Sequence, residues 1–185
     1  MTATRRVLRS ENPPILVCAD LQAHYLDQEG DGPPELSRLS SLLELWRAEL
    51  WPVLHLKRIA QAAWFDPASS LTDWVAPFCP QPGEMMFEHP LASAYSSSRF
   101  AEYMASLKGV HCVMAGCSLD ETILATVIEG FHRGHRFCVV GDAVICLRPV
   151  AGEAEADRAA MMRAIGKFAG IEQSSGLIGS AASEA

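Results

Sequence analysis

The sequence predicts a parallel α/β domain whose sheet is covered by helices on both faces. Its short apolar runs are hydrophobic throughout rather than alternating, and stretches with helical spacing separate them. Those runs also close on Asp20, on Lys57 and Arg58, on Glu88 and His89, on Gly116 and on Asp142. In such sheets ligands sit outside the carboxyl ends of the strands, where the strand order reverses, so these closing residues are the first site candidates.

The elements follow in order. After Pro13 and Pro14, Ile15–Asp20 reads as a strand ending on a carboxylate. Leu36, Leu39, Leu43, Trp46 and Leu50 recur at helical spacing, Pro52 stops that helix, and Val53–Leu56 is a second strand. From Ile59 to Gly83 the chain is irregular and aromatic, with Trp64, Phe65, Trp74 and Phe78 among five prolines and glycines. A segment this long in a compact domain reads as a lid or pocket wall. Met85–Phe87 is a third apolar run.

Phe100, Met104 and Leu107 mark a helix closed by Gly109, and Val110–Ala115 is the next strand. A helix begins near Asp120 and carries Ile123, Val127 and Phe131 up to Gly134, a favoured terminator. Phe137–Val140 is another strand, and Glu153 to Phe168 an amphipathic helix with Met161, Ile165 and Phe168 inward. The Ser/Gly/Ala-rich stretch from Ser174 is expected to be disordered. The division is therefore an extension (1–12), one domain (13–173) and a tail (174–185).

With 185 residues the chain fits one domain with a real core. Its net charge of −7 speaks against nucleic-acid or anionic-membrane surfaces, which need clustered cations. No stretch free of charged side chains exceeds eleven residues, too few to span a bilayer. Arg5, Arg6 and Arg9 are followed by Pro13 and Pro14 before any apolar segment of signal-peptide length. These features predict a soluble, cytoplasmic protein. Of six cysteines, Cys18, Cys112, Cys138 and Cys146 lie in apolar surroundings and read as buried free thiols.

Several familiar motifs fail. GxGxxG, the phosphate-cradling loop, HExxH and GxSxG are absent, and no CxxC pair offers a zinc site. Asp27–Gly32 is acidic, but Arg38 stands where a calcium loop needs its bidentate Glu. His132 and His135 are split by the helix-ending Gly134. The sequence therefore predicts neither cofactor nor metal.

Three segments in order carry a resemblance: ILVCADLQAHYL (15–26), GEMMFEHPLASAYSSSRF (83–100) and AGCSLDETILATVIEGFHRGHRFCVVGDA (115–143). Together they resemble the isochorismatase-like superfamily of cysteine hydrolases, which includes nicotinamidases and carbamoyl-amide hydrolases. The resemblance spans roughly residues 13 to 170. It implies a three-layer α/β/α fold, Rossmann-like, with a six-stranded parallel sheet, in a homo-oligomer (dimer or tetramer) acting on a small molecule. It also implies a cis peptide near Cys117–Ser118.

Family members use an Asp after the first strand, a Lys after the third and a Cys opening the helix after the fourth. Asp20 matches the Asp, with Gln22 completing D-x-Q. Counting from Ser93-Ala94-Tyr95 puts His89 at the Lys position, and counting from Gly116 puts Thr122 at the Cys position. A cysteine there ionises beside a cation, whereas a threonine hydroxyl needs a base held against it. His89 oriented by Asp20 is a candidate base, giving a hydroxyl–imidazole–carboxylate relay. Backbone N–H groups around residues 119–122 are candidates for an oxyanion site.

Other readings stand beside this one. Asp20 is also a candidate proton donor for a vinyl ether, with Glu88 raising its proton affinity. Thr122 is also a candidate capping hydroxyl, His89 a turn residue and Cys117 a core thiol. Trp64 and Phe65, with Gln22, Cys117 and Ser118, are candidate substrate contacts. Lys57 and Arg58 either receive an anion or are solvated. The stretch His55 to Ile59 lacks the Asp-x-His metal ligands of nicotinamidases. The leading expectation is a hydrolase acting at an amide-type C–N bond through Asp20, His89 and Thr122. The alternative is a catalytically inactive member that binds a ligand or serves as an oligomeric scaffold.

Overall fold

The computed structural model describes residues 13–26, 33–60, 65–146 and 154–182. The predicted strands appear as β1 (Ile15–Ala19), β2 (Val53–Arg58), β3 (Met85–His89), β4 (His111–Cys117) and β5 (Arg136–Ile145). A sixth, β6 (Gly170–Glu172), is three residues long and has no apolar period to announce it. All neighbours are parallel, in the order β3-β2-β1-β4-β5-β6. The six-stranded parallel sheet implied by the resemblance is thus present.

Helix α1 (Pro34–Ala48) covers one face, with Leu39, Leu42, Leu43 and Trp46 packed on Cys18, Val113 and Val140. Proline at its first turn suits the helix start, where the missing N–H is no loss. The buried Trp46 indole donates to the Pro14 carbonyl at 2.9 Å, so its one polar atom is satisfied. The opposite face carries α2 (Ser98–Ser106), α3 (Leu124–His132) and α4 (Ala154–Ile165). Phe100, Met104, Val127 and Ile165 from these helices meet Val17, Leu54, Met114 and Val139. Every residue of β1 is buried, as a strand covered on both faces requires.

Over its described residues the stretch from Ser174 is helical, against the expectation of disorder. It forms α5 (Ser174–Ala182), whose Leu177 is fully buried against the α1 face. Asp142 supplies the anchor: its carboxylate accepts the Ser174 N–H at 2.8 Å and the Ser174 hydroxyl at 2.7 Å. A carboxylate at a helix N-terminus satisfies donors that the helix cannot. Asp142 lies inside the long β5, beyond a register shift between Met114 and Gly116, and so has this structural task.

The strand order reverses between β1 and β4. Gly116 makes this seam possible. It sits opposite Ala19 at φ 113°, and a Cβ there would collide with the Ala19 backbone.

Candidate active site

Asp20 leaves β1 at φ 47°, a left-handed conformation that aspartate tolerates better than most side chains. Its N–H donates to Leu56 O at 3.0 Å, and its carbonyl accepts the Gln22 N–H at 2.8 Å. This tight turn fixes a fully buried carboxylate over the carboxyl ends of β1 and β2.

Both carboxylate oxygens of Asp20 are engaged. Oδ1 faces His89 Nε2 at 2.8 Å, and Oδ2 accepts the Thr122 hydroxyl at 2.6 Å. His89 and Thr122 are also fully buried. His89 Nδ1 donates to the Leu91 carbonyl at 2.7 Å, where the chain bends after Pro90. A carbonyl only accepts, so Nδ1 carries a hydrogen. His89 and Asp20 then share the next proton, as imidazolium and carboxylate or as imidazole and carboxylic acid.

The structure therefore brings Asp20, His89 and Thr122 together, with one change of order. The expected relay ran hydroxyl–imidazole–carboxylate; here the carboxylate stands in the middle. Leu91 occupies the imidazole nitrogen that Asp20 leaves, so His89 has no nitrogen to offer Thr122. Nor does Thr122 hold the cap position: the turn opens at Ser118, Thr122 lies inside it, and its hydroxyl donates to Asp20. It lies in a π-helical turn (Leu119–Ile123) ahead of α3, and the Cys117–Ser118 peptide before that turn is cis.

Other site candidates fall in different places. Gln22 is buried, but its amide serves the backbone: Oε1 accepts the Arg58 N–H at 2.7 Å, and Nε2 donates to Arg58 O and Thr72 O. It fastens the end of β2 rather than meeting a ligand. Cys117 is a core thiol, pushed well above its ordinary range by burial and then by the charges of Asp20 and Asp120. The neighbouring Ser118 hydroxyl is buried without a partner among the described residues. Glu88 is exposed on β3, because alternation turns it to the face opposite the buried His89.

Phe65 stands against Tyr25 and the Arg58 guanidinium, with ring centroids 5.8 Å apart and the cation 5.4 Å from the ring. Trp64 lies outside the described residues. Trp74 instead packs on His55 and beneath Lys57, and Phe78 is buried in the α1-side core. The segment 65–83 is stitched to the Asp20 loop: Ala23 N–H donates to Asp73 O, His24 N–H to Leu71 O and Val75 N–H to Leu21 O. Tyr25 escaped sequence reasoning, although it lies in the first quoted segment. Its hydroxyl, unpartnered among the described residues, is pushed up by burial and by the charge of Asp20.

Among the described residues, no three His, Cys, Asp or Glu side chains are grouped to hold a metal ion. His135 instead bonds Tyr95 Oη at 2.6 Å. No described helix is long and apolar enough to cross a membrane.

The buried polar cluster lies at the switch point of a parallel sheet, the place where open α/β folds in general bind ligands. The family model of the isochorismatase domain matches residues 14–173, and the chain belongs to that family. A hydrolase of the isochorismatase family from Chromobacterium violaceum is similar in structure, with a TM-score of 0.80 at 20% identity over 95% of this chain and 96% of that one. An isochorismatase hydrolase from Oleispira antarctica gives 0.78 at 21% identity, covering 92% and 98%. N-carbamoylsarcosine amidase from Thermoplasma acidophilum gives 0.67 at 18% identity, covering 87% and 96%. At these identities the likeness is one of fold. No curated protein matches the chain.

Proposed function

We propose that the protein hydrolyses a small molecule at an amide-type C–N bond, with Thr122 as nucleophile and Asp20 as its base. One observation carries this reading: a fully buried Asp20 holds the Thr122 hydroxyl on one oxygen and His89 on the other. His89 stands where the resemblance puts the family's lysine. As an imidazolium it would supply the same positive charge beside Asp20.

In this scheme Thr122 Oγ forms a bond to the substrate carbonyl carbon as its proton passes to Asp20 Oδ2. Aspartate is a weak base for an alcohol, so transfer accompanies attack rather than preceding it. The carbonyl π pair moves to oxygen, toward N–H groups at the start of the Leu119–Ile123 turn. Collapse breaks the C–N bond, and the Asp20 proton leaves with the nitrogen. Water then attacks the Thr122 ester, giving its proton to Asp20. The acid departs, and Thr122 recovers a hydrogen from Asp20.

A second reading keeps Asp20 and needs no nucleophile. With the shared proton resting on Asp20, the carboxyl protonates the methylene carbon of a vinyl ether; water adds to the resulting cation and the hemiketal collapses. The fixed Nδ1–H of His89 favours it, because the shared proton then lies between Nε2 and Asp20.

The test is hydrolysis of a panel of small amides, carbamoyl compounds and vinyl ethers by wild type and Asp20→Asn. Turnover that the substitution abolishes supports an enzyme, and the bond cleaved selects between the readings. Equal silence from both folded proteins sinks the catalytic readings for those bonds and leaves a ligand-binding family member.

A further inference from the structure

Arg58 closes β2 and pairs with His89 of β3. Its backbone is gripped on both sides by the Gln22 amide, at 2.7 and 3.1 Å. Its guanidinium lies against Phe65 at 5.4 Å. Yet Nε and Nη1 are buried with no hydrogen-bond partner among the described residues. A buried donor left unsatisfied is costly, and more so when it is charged. The neighbouring cation behaves differently: Lys57 turns to the other face, over Trp74 at 5.9 Å.

Two more buried polar atoms without a partner among the described residues belong to the same end of the sheet, Tyr25 Oη and Ser118 Oγ. Tyr25 shares the Phe65 ring with Arg58, and its hydroxyl feels the charges of both Asp20 and Arg58. Ser118 opens the turn that carries Thr122. Asp20, the nearest buried carboxylate, is already held by His89 and Thr122. Among the described residues the site thus combines an engaged Asp20 with a cation that has two unpartnered donors and with two idle hydroxyls.

We propose that Arg58 is the anion anchor of this site, so that the substrate is a small molecule carrying a carboxylate. The carboxylate lies beside the Arg58 guanidinium, Tyr25 and Ser118 bond the polar atoms between, and the scissile group faces Thr122. That orientation rests on the hydrolase reading above; the anion preference does not. The charge is a single one. A phosphate dianion would leave one negative charge uncompensated among Asp20, Asp120 and Glu121.

Binding without turnover tests this. Calorimetric titration of wild type would compare three carboxylates with their neutral amides: N-carbamoylglycine with its amide, benzoate with benzamide, and butyrate with butyramide. At least one carboxylate is expected to bind about tenfold or more tighter than its amide, the factor that a charge-assisted hydrogen bond supplies. Arg58→Met should erase that preference, and Arg58→Lys, which keeps the charge without the guanidinium donors, should retain only part of it. Equal affinities in all three pairs, no binding of any carboxylate, or a preference surviving in folded Arg58→Met would overturn the proposal. If Arg58→Met does not fold, the wild-type pairs and Arg58→Lys decide. Carboxylate preference without turnover leaves the anchor standing and sinks only the hydrolase reading. Turnover of neutral substrates without preference does the reverse.

Discussion

Thr122 gives its hydroxyl proton to Asp20 at 2.6 Å, across 102 positions of sequence, with both side chains fully buried. Asp20 is therefore the hub of the site and His89 its flank.

Thr122→Val replaces the hydroxyl by a methyl group of nearly the same shape. Amide hydrolysis should fall about a thousandfold or more, as removal of a nucleophile does, while vinyl-ether cleavage should be spared. Thr122→Ser should retain most amide activity. Initial rates of the three proteins on one substrate make the comparison.

His89→Ala strips the partner from a buried carboxylate and should destabilise the fold by about 3–5 kcal/mol. His89→Lys restores a cation, and His89→Gln a neutral donor, so both should recover part of the loss, with Lys recovering more. Urea unfolding at neutral pH measures it; equal stability of all four proteins would contradict the pairing.

Gly116→Ala forces a Cβ into the Ala19 backbone at a φ that L-residues avoid. A loss of about 3 kcal/mol or more is expected, since the neighbour is backbone and cannot rotate away. Gly109→Ala is the control. Its φ is also positive, at 71°, but a Cβ there meets nothing within 4 Å, so only about 1 kcal/mol is at stake.

Acid should unfold the protein through Glu84. Burial alone would raise this carboxyl, but hydrogen bonds from Arg47, Gln81 and His55 outweigh it and hold it at about 2, against an ordinary 4.5. A depressed carboxyl contributes stability that is whole above its unfolded value. That contribution is lost as pH falls from about 4.5 through about 2. The shift corresponds to about 3 kcal/mol. His55 acts in the same direction from higher pH. Burial lowers it from 6.5 despite Glu84, so the unfolded chain takes up its proton first and stability declines below that point. Urea midpoints from pH 7 to 2 should fall in wild type and fall less in Glu84→Gln.

Thiol labelling with a disulfide reagent at pH 8 should be uneven. Burial pushes Cys18, Cys112 and Cys138 up to about 12, and Cys117 well above its ordinary range. Little thiolate exists there to react. Cys79 is exposed and should react first, with the half-buried Cys146 slower. The remaining four should label only after denaturation.

The sheet was legible in the sequence wherever a strand is apolar along its length, as in β1 and β4, because coverage on both faces leaves no other pattern. β6 was not legible, since three residues beginning with glycine have no period. Nor was α5, whose Ser/Gly/Ala composition argues against a helix; its anchor, Asp142, lies 32 residues upstream. Motif spacing brought Asp20, His89 and Thr122 onto one page. Their hydrogen-bond order depended on the Leu91 carbonyl, a backbone atom that no residue pattern reports. Gln22 misled for a similar reason: its type suggests a ligand contact, but backbone groups of Arg58 and Thr72 had already taken its valences.

The seam between β1 and β4 has a further consequence. Strands β1 to β3 come from the first half of the chain and β4 to β6 from the second, so the sheet is two half-sheets zipped along one line. Asp20 and His89 belong to one half and Thr122 to the other. Neither half holds the cluster alone, and the Thr122–Asp20 bond closes only when Gly116 has met Ala19. The complete cluster therefore exists only in a chain whose halves have joined in register.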